Sequence, residues 1–361
     1  MDKIIPTSPP VKGRDSNIEL LRILSILLVM ILHANYLALE PPSQAAISSS
    51  FGNAFIQVYI EALSCVCVNI FILISGWFGI RFKIIRLAEI VFQVLFICIA
   101  MYILLRVTNL TKSMDIKEWS QLFFIKSGGY WFVRAYIILY VFAPVLNTFV
   151  ENCSRNQIKI FIFLFFILQS IYGFYHSDVW FSEGYSPLSF MGLYVIARFM
   201  RIYPNHYMKC NRRIDISIYF VTSAFTAICA IFLTPLSAKG ATIMFLYSSP
   251  LVIIASMYIF LFFTKIQFYN CVVNWIASSS FAVYLLHCSP HVFQPIYLDT
   301  ISHWHETESV YLFISFTIGF IIVIFSFSIM LDKFRLKIWD IIVVCCQKIS
   351  HLHNERLSGS A

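Results

Sequence analysis

The stretch ELLRILSILLVMILHANY (Glu19–Tyr36) is apolar enough to cross a membrane, yet it carries three ionisable side chains. Spanning the hydrocarbon takes about 20 apolar residues. Glu19, Arg22 and His33 are expensive in lipid, and such residues usually face a cavity and carry function. At about 100° and 1.5 Å per residue, the helix brings Arg22 and His33 to one face, about 16 Å apart along the axis. Glu19 is placed three residues before Arg22, where it can pair with it.

The whole chain has the composition of a protein embedded in lipid. Of its 361 residues, 59% are hydrophobic and 12% are charged, whereas soluble domains carry about 25% charged residues. The expected fold class is an all-α polytopic membrane protein of about ten transmembrane helices. The apolar windows are 18–39, 54–80, 87–106, 130–150, 160–175, 185–203, 214–234, 242–264, 273–298 and 309–331.

These windows divide the chain into three parts. Residues 1–17 are expected to be a cytoplasmic tail, 18–331 the transmembrane domain, and 332–361 a cytoplasmic tail with an interfacial helix. A short helix is also expected in the loop 107–129. No small-residue cleavage site follows the first window, which is therefore expected to be retained as a span.

The net charge of +8 reports orientation rather than nucleic-acid binding. Most Lys and Arg residues fall in segments that alternate to the side of the N-terminus, which is the pattern of positive-inside topology. Both termini are therefore expected in the cytoplasm, and no nucleic-acid partner is expected.

The sequence predicts no metal site. The ten cysteines show no CxxC pair, and they are interpreted as small apolar residues. His303 and His305 form an HxH pair without a third ligand nearby in the sequence, which is typical of solvated histidines.

Several motifs, taken in order, make the chain similar to a known family. Arg22 and His33 are separated by ten residues, and VNIFILISGWFG (68–79) follows in the second window. Later come GGYWFVRAYIILYVFAPVLN (128–147), EGYSPLSFMGLYVIARFMRIY (183–203) and SSSFAVYLLHCSP (278–290), which contains His287. Together they resemble the acyltransferase 3 family of integral membrane acyltransferases, in particular its polysaccharide-modifying branch.

The resemblance implies O-acylation, commonly O-acetylation, of an extracytoplasmic polysaccharide or glycolipid by cytoplasmic acyl-CoA. Acetyl-CoA is the expected donor substrate, and its anionic end would meet Arg22, Lys83 and Arg86. Lys83 stands where the family often has Arg, which keeps the charge but loses the planar fork. His33 would act as the base or as the acyl carrier, and the sequence does not decide between the two. Glu19 would orient Arg22.

The remaining candidates are expected to contact the acceptor or to line the cavity. Tyr130, Trp131 and Arg134 open the fourth window, where an ordinary aromatic belt is the alternative interpretation. Glu183 and Tyr185 open the sixth window and could bond sugar hydroxyls. Tyr284 and His287 share one face of the ninth window, and a buried structural histidine is the alternative for His287.

Two other classes of function remain open at this stage. A transporter or flippase of a glycolipid or sugar could use the histidines as a proton relay, although no internal repeat is visible and only 12 Gly occur. A membrane scaffold gives no reason for the Arg22–His33 spacing. The expected location is a bacterial cytoplasmic membrane, with the bilayer, acyl-CoA and a glycan as partners; the sequence does not predict an oligomeric state.

Overall fold

The computed structural model describes residues 15–110, 119, 130–176, 178–204, 206–236 and 240–358. These residues form helices and no strand, which confirms the all-α prediction. The α-helices are α1 Ser16–Leu32, α2 Gln44–Ser49, α3 Phe51–Ser64, α4 Cys67–Phe78, α5 Ile84–Val107, α6 Trp131–Asn152, α7 Arg155–Leu168, α8 Pro187–Ile202, α9 His206–Lys209, α10 Arg212–Leu233, α11 Gly240–Ile243, α12 Pro250–Thr264, α13 Cys271–Ala277, α14 Ser280–His287, α15 Asp299–Thr307 and α16 Val310–Ser358. The helix expected in the loop 107–129 lies almost wholly outside the described residues.

Three segments of wider, π-helical geometry accompany these helices. They are His33–Leu37 at the end of α1, Gln169–Tyr175 at the end of α7, and Phe293–Leu298 before α15. In the first, the Ala38 N–H donates to the carbonyl of His33, five residues earlier, at 3.1 Å. Single π turns of this kind occur frequently at functional sites.

Within the described residues, seven helical segments are long and apolar enough to cross a membrane. They are Ser16–Leu37, Phe51–Phe78, Ile84–Val107, Trp131–Asn152, Arg155–Tyr175, Arg212–Leu233 and Val310–Gln347. The chain therefore has the helices of a multi-pass membrane protein. The count of ten spans and the cytoplasmic position of both termini stay predictions.

The sixth, eighth and ninth predicted windows contain shorter helices. The helix in the sixth, α8, has 16 residues, and α12 in the eighth has 15 because it begins only at Pro250. The ninth window is broken after α13, after α14 and again by the π segment. Proline at the first position of a helix is favoured, whereas a proline in the interior removes a backbone donor and kinks or ends the helix. Pro290 follows α14 closely and accounts for its end.

The last helix continues past its span without a break. α16 runs from Val310 to Ser358, so the charged tail is the same helix and not a separate element. The interfacial position of this tail stays a prediction. At its midpoint, the buried Asp332 accepts hydrogen bonds from Gln93 of α5 and from Arg335, both at 2.8 Å. This buried polar contact fixes α16 against α5.

The first helix lies inside the bundle. It packs against α3, α4, α12, α13 and α14, and Leu21 and Met30 are fully buried. Asn17 donates to the carbonyl of Phe263 at 2.8 Å and ties the start of α1 to the end of α12. The central position of α1 places its polar face against other helices instead of lipid.

A close contact between α4 and α8 supports this arrangement. At Gly76, a Cβ atom would lie 2.4 Å from the carbonyl oxygen of Tyr194 and 2.9 Å from the Cβ of Ala197. Only glycine permits the two backbones to approach this closely. Small residues commonly mediate such helix contacts in membrane proteins.

Candidate active site

A large cavity runs along the polar face of α1. Its volume is about 850 Å³, and it is lined by residues from α1, α3, α4, α6, α14 and the segments before α8 and α12. Six of the residues predicted for the site line this cavity. They are Arg22, His33, Trp131, Glu183, Tyr185 and Tyr284.

Arg22 lies at one end of the cavity. One of its terminal nitrogens, Nη1, donates to both carboxylate oxygens of Glu19, at 2.9 and 2.7 Å. Glu19 is buried, whereas the Arg22 side chain is 29% exposed. The pair therefore holds Arg22 by one nitrogen and leaves Nη2 and Nε able to donate to a ligand. Ser75 and Tyr136, whose oxygens are 3.4 Å apart, also line the cavity.

His33 lies three helical turns further along, at the start of the π turn. Its Nδ1 is 3.1 Å from Nε2 of His287, although the two residues are 254 positions apart in the chain. Nδ1 of His287 is 2.6 Å from the carbonyl oxygen of Val283. The rings are packed on their other sides by Phe293, 5.0 Å from His33, and by Tyr297, 5.6 Å from His287.

These contacts fix the tautomer of both neutral rings. A carbonyl oxygen can only accept, so Nδ1 of His287 carries the hydrogen and Nε2 carries the lone pair. That lone pair accepts from Nδ1–H of His33. His33 is thereby left with a lone pair on Nε2, which is the atom a general base requires.

The π turn brings a second polar pair to the cavity. Asn35 donates to the carboxylate of Glu61 and to the carbonyl of Gln57, both at 3.0 Å. Glu61 is 3% exposed and lines the cavity. The same short segment therefore positions His33 on one side and, through Asn35, the Glu61 carboxylate on the other.

Aromatic rings and an acidic turn line the cavity near the start of α6 and α8. The ring centroid of Trp131 is 4.4 Å from that of Tyr185 and 5.8 Å from that of Tyr247. Glu183 has a positive φ of 57° and lies in a tight turn between Ser182 and Gly184, whose φ values are 44° and 96°. Strained residues of this kind are concentrated at functional sites.

Comparison with known proteins places the chain in a family. Residues 15–332 match the acyltransferase domain of the acyltransferase 3 family. The chain belongs to the acyltransferase 3 family. No curated protein and no solved structure matches it.

Membership identifies the chain as a membrane acyltransferase. The matched region begins before α1 and ends within α16, so it includes the whole cavity and the His33–His287 pair. The resemblance of the five sequence motifs is thereby confirmed at the level of the family.

Six predicted residues of this acyltransferase do not line the cavity. Two of them, Glu19 and His287, contact Arg22 and His33, which do. The other four lie elsewhere. Tyr130 is buried and donates to the carbonyl of Leu285 at 2.7 Å. Arg134 is exposed on α6. Lys83 and Arg86 lie at the start of α5, where both are exposed and Arg86 donates to Glu89 at 2.7 Å. The roles of Lys83, Arg86 and Arg134 in binding stay predictions. The aromatic-belt alternative does not describe Tyr130, because its buried phenol bonds a neighbouring helix and so supports the fold.

Sequence reasoning missed three residues at this site. Glu61 and Asn35 form the second polar pair, and Cys288 lines the cavity beside the two histidines. Glu61 had a readable signal, since it is an acidic residue inside an apolar window. Asn35 and Cys288 had none, because their partners are brought to them only by the fold.

Proposed function

We propose that this acyltransferase moves an acyl group, most simply acetyl, from cytoplasmic acyl-CoA to a hydroxyl of an extracytoplasmic polysaccharide or glycolipid. The observation that carries the proposal is the single cavity that is lined by Arg22 and, about three turns further along α1, by His33. A coenzyme A thioester has an anionic nucleotide end and a long thin arm with the acyl group at its tip. The cavity suits this shape, with charge at one end and a base at the other.

The chemistry proposed for His33 is general base catalysis. The acceptor hydroxyl attacks the thioester carbon, and Nε2 of His33 takes the hydroxyl proton as the C–O bond forms. The carbon–sulfur bond then breaks, and the proton on His33 passes to the departing sulfur, which gives free coenzyme A thiol. The positive charge that His33 carries between these steps is stabilised by the lone pair of His287. His287 is therefore a positioning residue for His33.

The donor is proposed to enter from the cytoplasmic side. With the N-terminus inside, Arg22 lies toward the cytoplasm and can bind phosphate through the nitrogens that Glu19 does not use. Lys83 and Arg86, exposed near the start of α5, supply further positive charge for the nucleotide. Arg86 would have to exchange its contact with Glu89 for one with the donor.

The acceptor is proposed to bind against the aromatic rings and the acidic residues. Trp131 and Tyr185 offer ring faces for a sugar, and the carboxylates of Glu61 and Glu183 can accept hydrogen bonds from its hydroxyls. Tyr284, three residues before His287 on α14, lines the same cavity and completes the wall. The bacterial cytoplasmic membrane is the compartment in which acyl-CoA and an extracytoplasmic glycan are available on opposite faces.

Purified protein in vesicles, supplied with labelled acetyl-CoA and a glycan acceptor, tests this function. We expect labelled ester on the glycan, and a loss of about 10²- to 10⁴-fold in His33→Ala, which is the usual contribution of general acid–base catalysis. His33→Gln is the discriminating variant, because an amide keeps a hydrogen bond but cannot shuttle a proton. Activity in His33→Gln within a few-fold of the parent would exclude His33 as the base.

The same assay separates a base from a covalent carrier. Protein incubated with labelled donor and no acceptor should hold no label after denaturation if His33 acts only as a base. A label that is retained by the parent and lost in His33→Gln would assign the carrier role instead.

A further inference from the structure

Three side chains beside the cavity present potential metal ligands to one point. Nδ1 of His33 and Nε2 of His287 are 3.1 Å apart. The Sγ of Cys288 is 3.4 Å from Nε2 of His287 and 3.9 Å from Nδ1 of His33. Among the described residues, these three form the group of histidine, cysteine and acidic side chains that could hold a metal ion.

The distances fit one face of a tetrahedral zinc site. With Zn–N of about 2.05 Å and Zn–S of about 2.3 Å, tetrahedral geometry places two nitrogens about 3.3 Å apart and nitrogen and sulfur about 3.6 Å apart. The three observed separations each lie within about 0.3 Å of these values. Two histidines and one thiolate are also a ligand set that zinc prefers, with a water from the cavity available for the fourth position.

The surroundings of His287 match those of a metal ligand. A ligating histidine usually donates its other ring N–H to a carbonyl or carboxylate, which fixes the ring and its tautomer. His287 does so through Nδ1 and the carbonyl of Val283. His287 and Cys288 are buried and already packed by their neighbours, so little ordering is needed on binding.

We propose that His33, His287 and Cys288 bind a thiophilic divalent cation, with Zn²⁺ as the natural candidate. Binding requires the lone pair of His33 on Nδ1, so the ring hydrogen moves from Nδ1 to Nε2. Cys288 loses its thiol proton to the solvent and binds as the thiolate. Both histidines bind as neutral rings. The thiolate contributes one negative charge, which partly balances the two positive charges of the ion.

This binding has a consequence for acyl transfer, which rests on the proposed function. The metal-bound form of His33 carries a hydrogen on Nε2, the atom that must accept the hydroxyl proton. A bound cation therefore switches off the base without blocking the rest of the cavity. The cation site is inhibitory, and removal of the metal restores the active tautomer.

Cobalt titration of the purified protein tests the binding independently of any reaction. The exposed Cys271, Cys345 and Cys346 are first replaced by serine to remove competing thiols. We expect one equivalent of Co²⁺ to produce a near-ultraviolet thiolate-to-cobalt band together with the visible bands of a tetrahedral ion. Cys288→Ser should lose the near-ultraviolet band and bind at least ~100-fold more weakly, since even outer partners of a ligand are worth 10- to 100-fold. Cys65→Ala, which removes another buried thiol, should leave the band unchanged.

Zinc inhibition then tests the consequence. Stoichiometric Zn²⁺ should abolish acyl transfer by the parent, and a chelator should restore it. Cys288→Ser, measured against its own metal-free rate, should need at least tenfold more Zn²⁺ for the same inhibition. A cobalt band that survives in Cys288→Ser, or no stoichiometric band in the parent, overturns the site. A band without inhibition leaves the site in place and contradicts the role of His33 as the base.

Discussion

Replacing His287 by alanine isolates the contact that prepares His33. His287 accepts the Nδ1–H of His33 at 3.1 Å, whereas the Sγ of Cys288, a weaker acceptor, is 3.9 Å from the same nitrogen. Losing a partner of a buried donor costs about 1–3 kcal/mol. That energy holds His33 in the tautomer with its lone pair on Nε2. The fraction of the protein with His33 in this active tautomer should therefore fall by roughly 5- to 150-fold, because 1.4 kcal/mol corresponds to a factor of ten.

The loss should appear in kcat and not in the binding of the donor. Arg22 is about three turns from His33, so the KM for acyl-CoA should be unchanged. His287→Gln should recover most of the rate, because an amide oxygen can accept from Nδ1–H of His33. Leu285→Ala is the matched control, since it removes another fully buried side chain of α14.

A double-mutant cycle makes the test decisive. If His287 acts only through His33, adding His287→Ala to His33→Ala should cause no further loss of rate. Losses that multiply would show that His287 acts separately. A rate for His287→Ala within twofold of the parent, or an equal loss in Leu285→Ala, would refute the positioning role.

Other expectations concern the cavity and the fold. Arg22→Ala should weaken acyl-CoA binding and Arg22→Lys should weaken it less; equal binding by parent and alanine variant would make Arg22 a helix anchor. Glu61→Ala should raise the KM for the glycan by about 5- to 150-fold, the 1–3 kcal/mol cost of leaving a buried polar partner without its hydrogen bond, while the KM for acyl-CoA is unchanged; an equal rise in both would contradict an acceptor role. Gly76→Ala should destabilise the protein by about 1–3 kcal/mol through overpacking, measured by thermal unfolding, whereas Gly319→Ala, with nothing within 4 Å of the added Cβ, is the neutral control. A reporter fused after residue 302 should lie outside the cell, and a cytoplasmic signal there would rule out the ten-span topology.

The features that depend on a single helix could be predicted from the sequence. The Arg22–His33 face, the Glu19 contact and the apolar windows all follow from periodicity and hydropathy within one segment. The apolar windows did not predict the helix bounds where a helix begins late, as at Pro250, or where it breaks, as after α14. Hydropathy averages over such breaks, because the broken segments are as apolar as the intact ones.

The parts of the site that depend on packing could not be predicted. His33 and His287 were both candidates, but their contact joins residues 254 positions apart, and nothing in either local sequence specifies the other. Cys288 was classed with the small apolar residues for the same reason. Tyr130 and Trp131 both open the fourth window, which predicts acceptor contact for both. Neighbours in a helix point about 100° apart, however, and of these two only Trp131 lines the cavity.

The π turn after α1 is equivalent to the insertion of one extra residue into an α-helix. Up to Leu32 the helix keeps the α phase that aligns Arg22 with His33, and beyond the turn the phase is advanced by about 100°. The two sides of the cavity are thus set by two phases of one continuous segment. Deleting Ala34 would return the turn to α geometry, rotating the Asn35 contact with Glu61 out of register while Arg22 and His33 kept theirs. Donor-side and acceptor-side geometry could then change independently of each other through one insertion or deletion.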